Sequence, residues 1–132
     1  MNVLLDTHIA IWALLDSHML TRKARDIILD PDNTVYYSTV SVWEILLKHS
    51  THPDKINLTA EIFSSACKDA GYICLELCDK HIITAEKSLV QIEEHKDPFD
   101  RLLLAQAKTE SLSLLTNDSK LPLYKEKCVI SQ

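Results

Sequence analysis

The chain has 132 residues, 46% apolar and 25% charged, the composition of an ordinary globular domain that can bury a core without disulfides or a structural metal. Its formal charge of −5 argues against a binder that holds nucleic acid with a field of lysines and arginines, but not against a nuclease whose positive charge is carried by bound metal. No apolar run approaches the ~18 residues of a membrane span. Met1-Asn2-Val3-Leu4-Leu5-Asp6 has no basic region before its apolar stretch, so the expectation is a cytoplasmic protein without membrane contact or secretory leader.

Val3-Leu4-Leu5 reads as a buried strand and residues 9–15 as a first helix. A second helix over 22–29 follows Thr21 as its cap and stops before Pro31. Val35-Tyr36-Tyr37 is the next strand, and Ser41 opens a helix to about residue 49. The polar stretch 50–57, with Pro53, is a loop. Thr59 caps a helix that runs to about residue 70, where Gly71 suits a C-terminal stop. A strand at 73–75 and a helix over 80–89 come next. Asp97 caps a helix over 99–108, with Pro98 in the first turn, where its missing N–H costs nothing. Strands at 113–115 and 128–130 complete the chain. Short all-apolar strands alternating with helices predict one domain over 1–132, a three-layer α/β/α sandwich around a parallel sheet of about five strands.

Two familiar chemistries are excluded. Gly71 is the only glycine, whereas phosphate-cradling loops and dinucleotide fingerprints need several. Cys67, Cys74, Cys78 and Cys128 lack zinc-ribbon spacing and read as buried thiols.

What remains is a set of acids. Asp6 follows the first strand, Glu44 lies in the helix opened by Ser41, Asp97 and Asp100 start a helix, and Asp118 follows the fourth strand. Each has a local explanation: Asp6 and Asp97 as caps, Ser41-Val42-Trp43-Glu44 as a capping box, Asp118 as the cap of a turn at Ser119-Lys120. Yet independent caps have no reason to converge, and in a parallel α/β fold these positions meet at one edge of the sheet. Carboxylates gathered there repel one another and lose hydration, so the cluster calls for a hard cation, Mg²⁺ or Mn²⁺, and for chemistry on phosphates.

The same segments resemble the PIN-domain ribonucleases, particularly the bacterial VapC-type toxins of toxin–antitoxin pairs. The matching stretches are Leu4-Leu5-Asp6-Thr7-His8 with Trp12 and Leu15, and Ser38-x-x-Ser41-x-Trp43-Glu44-Ile45 with Lys48. They continue with His95-Lys96-Asp97-Pro98-Phe99-Asp100-Arg101 and Leu115-Thr116-Asn117-Asp118. The resemblance implies that Asp6, Glu44, Asp100 and Asp118 form an acidic metal-binding, catalytic quartet, with Asp97 as the competitor of Asp100. It implies a PIN-like fold and an endoribonuclease that inhibits translation, with an RNA substrate, a small antitoxin partner and a homodimeric state. The chain departs from many relatives over 49–56, where Asp54-Lys55-Ile56 stands in place of a glycine.

The chemistry expected of such a site is hydrolysis by activated water, with the cation also stabilising the leaving oxygen. Supporting roles stay open in each case. Lys48 either pairs with Glu44 one helical turn away or contacts an RNA phosphate. Arg101 neutralises the acidic rim or holds substrate. Thr7 and Thr116 orient water at the metal or bond the backbone. The alternatives are a PIN-type RNA-processing nuclease without antitoxin, and a non-catalytic acidic α/β interaction domain. A phosphorylatable receiver domain would want a doublet of acids after the first strand, where only Asp6 stands. Finally, Ile9, Trp12 and Ala13 on the first helix, with Trp43 and Leu47 on the helix after Ser41, either bury completely against the sheet or leave a partly exposed apolar groove between those helices; the resemblance, with its antitoxin tail, implies the groove, running toward the acids.

Overall fold

Val3, Leu4 and Leu5 are fully buried although their side chains alternate between two faces, which requires a strand covered on both sides. The computed structural model, which describes residues 1–93 and 95–132, supplies that cover. Strand β1 (Asn2–Leu5) is followed by helices α1 (Thr7–Leu14) and α2 (Arg22–Leu29), strand β2 (Thr34–Ser38) and helix α3 (Thr39–Thr51). Helix α4 (Ala60–Asp69), strand β3 (Ile73–Leu75) and helices α5 (Asp79–Lys87) and α6 (Pro98–Glu110) come next. Strand β4 (Ser113–Thr116), a short 3-10 helix (Leu121–Tyr124) and strand β5 (Val129–Ser131) close the chain.

The five strands form one sheet in the order β3-β2-β1-β4-β5, and every pairing is parallel. Val3, Leu5, Val35, Tyr37 and Leu115 face one layer, where Ile9, Ala24, Ile45 and Phe63 meet them. Leu4 and Leu114 face the other, packed by Leu103, Leu104 and Ala107 of α6 with Leu121 and Tyr124. This is the three-layer α/β/α sandwich expected from the sequence. Leu115 sits at its centre, beside Leu5 and with no exposed surface. Leu115→Ala is expected to cost about 2–5 kcal/mol of stability, the range for truncating a buried leucine, measurable as a lower urea midpoint.

Most ends follow local chemistry. The Thr21 and Thr59 hydroxyls accept from the Ala24 and Ile62 N–H groups, at 3.2 Å each. Gly71 has φ +86° directly after α4, and the Gly71 and Tyr72 N–H groups bond back to the Lys68 and Cys67 carbonyls. Some bounds differ: α1 begins at Thr7 rather than residue 9, with Asp6 as its cap, and α3 runs on to Thr51, into the expected loop. Helix α3 begins at Thr39, two residues earlier than expected, because Ser38 rather than Ser41 is its cap, its hydroxyl accepting from the Val40 N–H. Ser41 is therefore inside the helix, and no capping box forms with Glu44. The 3-10 helix is a further element that the sequence does not predict. No helix among the described residues is long and apolar enough to cross a membrane.

Candidate functional site

The strand order places a topological switch between β1 and β4: the chain leaves β1 toward β2 and β3 on one side and returns through β4 and β5 on the other. Loops diverge above such a point and leave a crevice at the C-terminal edge of the sheet. Asp6 follows β1 and Asp118 follows β4, so both stand at that crevice. A cleft of about 180 Å³ there is lined by Asp6, Glu44, Asp97, Asp100 and Asp118 with His8, Lys48 and Asn117. All four candidate ligands and their competitor thus share one cavity.

Each acid is held by its own scaffold. Asp6 is buried; its Oδ1 accepts from the Ile9 N–H at 2.9 Å, capping α1. Its Oδ2 accepts from the Thr116 hydroxyl and, at 3.2 Å, from the Asn117 N–H. Burial outweighs these bonds and raises the Asp6 carboxyl above the usual range. Glu44 is equally buried. Its Oε1 accepts from the Thr7 hydroxyl at 2.6 Å, and that hydroxyl is also bonded to Ser41 Oγ at 2.9 Å. Its Oε2 accepts from the Lys48 ammonium. Burial alone would lower the Lys48 ammonium, but Glu44, with Asp97 and Asp100 behind it, holds it above the ordinary lysine range.

Asp97 spends Oδ1 on the Phe99 and Asp100 N–H groups at 2.9 and 3.3 Å, as a helix cap should. Asp100 faces Asp118 instead. Burial pushes the Asp100 carboxyl up to about 9, and the hydrogen bond with Asp118 and the charges of Asp97, Asp118 and Asp6 push the same way. For Asp118 burial acts upward, but the bonds from Asp100, the Lys120 N–H at 2.7 Å and His95 prevail and leave it lowered. Asp100 therefore keeps the one proton that the two carboxylates share. Capping and convergence coexist here: Asp6, Asp97 and Asp118 each cap backbone while lining the cleft.

Arg101 does not line it. Its guanidinium donates to the Ala85 and Val90 carbonyls, both at 2.9 Å, and to the Tyr124 hydroxyl at 3.3 Å. The reading of Arg101 as a rim-neutralising group fails because those acceptors occupy its guanidinium and it is not among the residues that line the cleft. Conversely, the sequence assigns His95 no role, yet its Nε2 lies 3.3 Å from Asp100 and 3.4 Å from Asp118. His95 precedes Asp100 by five residues across the start of α6, a spacing with no helical meaning. Its partner Tyr124 lies in the unexpected 3-10 helix.

The profile of the PIN domain family matches residues 3–127. The chain belongs to the PIN domain family. No curated protein matches it in sequence, but solved structures share the PIN fold. It superposes with TM-score 0.66 and 16% identity on a chain of VapBC2 from Rickettsia felis bound to a DNA fragment from its promoter, covering 100% of this chain and 98% of that one. A toxin–antitoxin complex from Klebsiella pneumoniae gives TM-score 0.58 and 17% identity, covering 97% and 95%. DNA-bound VapBC from Salmonella typhimurium gives 0.65 and 14%, covering 100% and 97%.

A second feature of this PIN domain adjoins the acids. His8, which also lines the acidic cleft, opens a groove of about 460 Å³ bounded by Ile11, Trp12 and Leu15 of α1 and by the segment Lys55-Ile56-Asn57-Leu58. The groove exists, but its second wall is not the Trp43 and Leu47 face of α3. Trp43 turns toward α6 and packs edge-on against Phe99, ring centroids 4.9 Å apart, while Ile9 is wholly buried in the core. The wall is built by 55–58, within and just after the stretch where the chain departs from the family's glycine.

Proposed function

We propose that this PIN-domain protein is a Mg²⁺- or Mn²⁺-dependent endoribonuclease and the toxin of a toxin–antitoxin pair. The observation that carries the reading is the meeting of Asp6, Glu44, Asp100 and Asp118 in one cleft at the switch point. The donor set fits a hard divalent cation: the acids offer only carboxylate oxygens, and a shared proton between Asp100 and Asp118 marks a place where positive charge is needed. Asp6, Asp100, Glu44 and Asp118 would hold the cation, with Asp97 in the same cleft as the competitor of Asp100. Bound there, the cation supplies Lewis acidity toward a scissile phosphate and makes water a nucleophile near neutral pH.

The chain's own groups do the positioning. Asp6 is fixed by three donors, so its carboxylate cannot swing from the cleft. Thr7 and Lys48 each bond one oxygen of Glu44 and so fix the carboxylate's orientation. Lys48 lines the cleft beside Glu44, and its ammonium would suit an RNA phosphate as a point charge. Thr116 serves Asp6 with its hydroxyl and accepts from the Asp118 N–H at 3.0 Å, so one side chain ties both strand ends together.

The toxin reading draws on the fold shared with the VapBC structures and on the groove beside the acids. An antitoxin tail would seat apolar anchors between α1 and 55–58 and carry a basic side chain past His8 to the carboxylates. Self-association as a homodimer belongs to the same proposal. The exposed Trp43, Leu46 and Leu47, which share one face of α3, are apolar surface available for it.

The test is incubation of purified, antitoxin-free protein with a panel of cellular RNAs, with Mg²⁺, with Mn²⁺ and with chelator. Cleavage with either cation and none in chelator is expected; cleavage that persists in chelator contradicts the reading. For the groove, Trp12→Glu is expected to weaken inhibition by the co-expressed neighbouring small protein at least ~10-fold while sparing RNA cleavage, since a buried aromatic anchor is worth about 2 kcal/mol or more. Unchanged inhibition would place the partner elsewhere.

A further inference from the structure

His95 is buried and belongs to a chain of polar contacts that ends on the acids. Its Nδ1 lies 2.7 Å from the Tyr124 hydroxyl, and its Nε2 lies 3.3 Å from Asp100 Oδ2 and 3.4 Å from Asp118 Oδ2. The Tyr124 hydroxyl is also 3.3 Å from Arg101 Nη1, and the Arg101 guanidinium stands 5.6 Å from the centre of the Tyr124 ring. His95, Asp100 and Asp118 lie close enough together to ligate one ion through all three side chains. The polarity of the bonds decides between that arrangement and another.

Arginine only donates, so the Tyr124 oxygen is the acceptor of the Arg101 bond and its hydrogen is free to point at His95 Nδ1. Nδ1 then accepts, and the ring hydrogen sits on Nε2. In the cation-loaded centre both carboxylates are ionised and only accept, so an Nε2 lone pair aimed at two of them would be repelled, whereas an Nε2–H satisfies both. We infer that His95 is a positioning residue for the acidic centre: its Nε2–H holds Asp100 and Asp118 side by side, and Tyr124, backed by Arg101, sets the ring's tautomer. This rests on the reading of those acids as a cation site. It also gives Arg101 a part in the site, three bonds removed from the cleft, through Tyr124 and His95. Such outer partners of ligating groups typically account for 10- to 100-fold in metal affinity.

The experiment pairs calorimetric Mn²⁺ binding with nitrogen NMR of ¹⁵N-histidine-labelled protein loaded with Mg²⁺. Wild type is expected to bind Mn²⁺ and to show His95 with Nε2 protonated and Nδ1 not. His95→Leu should bind Mn²⁺ about 10- to 100-fold more weakly. His95→Gln, which keeps an N–H donor, should recover much of that loss. Tyr124→Phe should weaken binding less, and its effect should vanish in the His95→Leu background, as for two members of one chain. An unprotonated Nε2 in the Mg²⁺-loaded protein, or wild-type affinity in His95→Leu, overturns the inference and leaves the cation site standing. Failure of the wild type to bind either cation removes both. The NMR measurement needs no variant, so it decides even if His95→Leu does not fold.

Discussion

Asp100→Asn will abolish RNA cleavage and at the same time make the cation-free protein more stable at pH 8. Loss of a ligand removes several kcal/mol from a transition state that depends on the cation, and about 1.4 kcal/mol is a factor of ten, so the rate is expected to fall by roughly 100-fold or more. The stability gain follows from the proton. In the folded protein Asp100 holds its proton up to about 9, against an ordinary value of 3.8. The folded state therefore binds more protons than the unfolded chain throughout that window, and its stability declines as pH rises from about 4 toward 9. Asp6, raised by burial, acts with the same sign. The amide introduced by Asp100→Asn does not titrate and still offers Asp118 an N–H donor. At pH 8 without divalent cations the variant's Tm should exceed wild type by about 3–5 °C or more, the shift that about 1 kcal/mol produces in a domain of this size. Near pH 3, below both values, the gap should close. Thermal melts of both proteins at pH 3, 5 and 8 in chelator check it, and a gap independent of pH would refute the proton account.

The second large effect is on cation affinity. Asp100 and Asp118 would have to give up their shared proton to hold a cation, so binding would compete with protonation and tighten with rising pH. Affinity for Mn²⁺ should increase by up to about tenfold per pH unit between pH 6 and 8, the limit set by one proton released per ion. Calorimetry in two buffers of different ionisation heat should report close to one proton released at pH 7. The bound ion then restores the stability that the crowded carboxylates cost, by about 2.7 kcal/mol at a free concentration one hundred times its Kd. A pH-independent affinity would mean that the cation binds elsewhere.

Much of this is legible in the sequence because the features responsible are local. All-apolar triplets such as Val3-Leu4-Leu5 allow only a strand covered on both faces, and Thr21, Thr59, Gly71 and Asp97-Pro98 mark helix ends by chemistry that acts within a few residues. Convergence of the acids can also be anticipated, because strand ends in a parallel sheet share an edge. What escapes depends on contacts distant along the chain. The start of α3 is ambiguous in sequence because Ser38 and Ser41 are both competent caps. The choice between them turns on packing: Ser41 meets Thr7 of α1, while Ser38 is bonded to the wholly buried Gln106 of α6. Arg101 beside Asp100 in sequence suggests a neighbour in the cleft, but adjacent helical residues point about 100° apart. His95 gains its place only through Tyr124, 29 residues later, which no spacing rule connects to it. The groove follows from the apolar face of α1, but its opposite wall comes from a loop whose course has no periodic signal.

Asp6, Glu44, Asp100 and Asp118 are proposed together to form a divalent-cation site on which the chemistry depends. The most direct measurement is anomalous scattering from crystals of the protein grown or soaked with Mn²⁺. An anomalous peak is expected in the cleft at the C-terminal ends of β1 and β4, within ligand distance of at least two of these carboxylates, and is expected to be lost in Asp100→Asn. A cleft with no peak at a Mn²⁺ concentration that supports RNA cleavage, or a peak confined to other residues, would contradict the proposal.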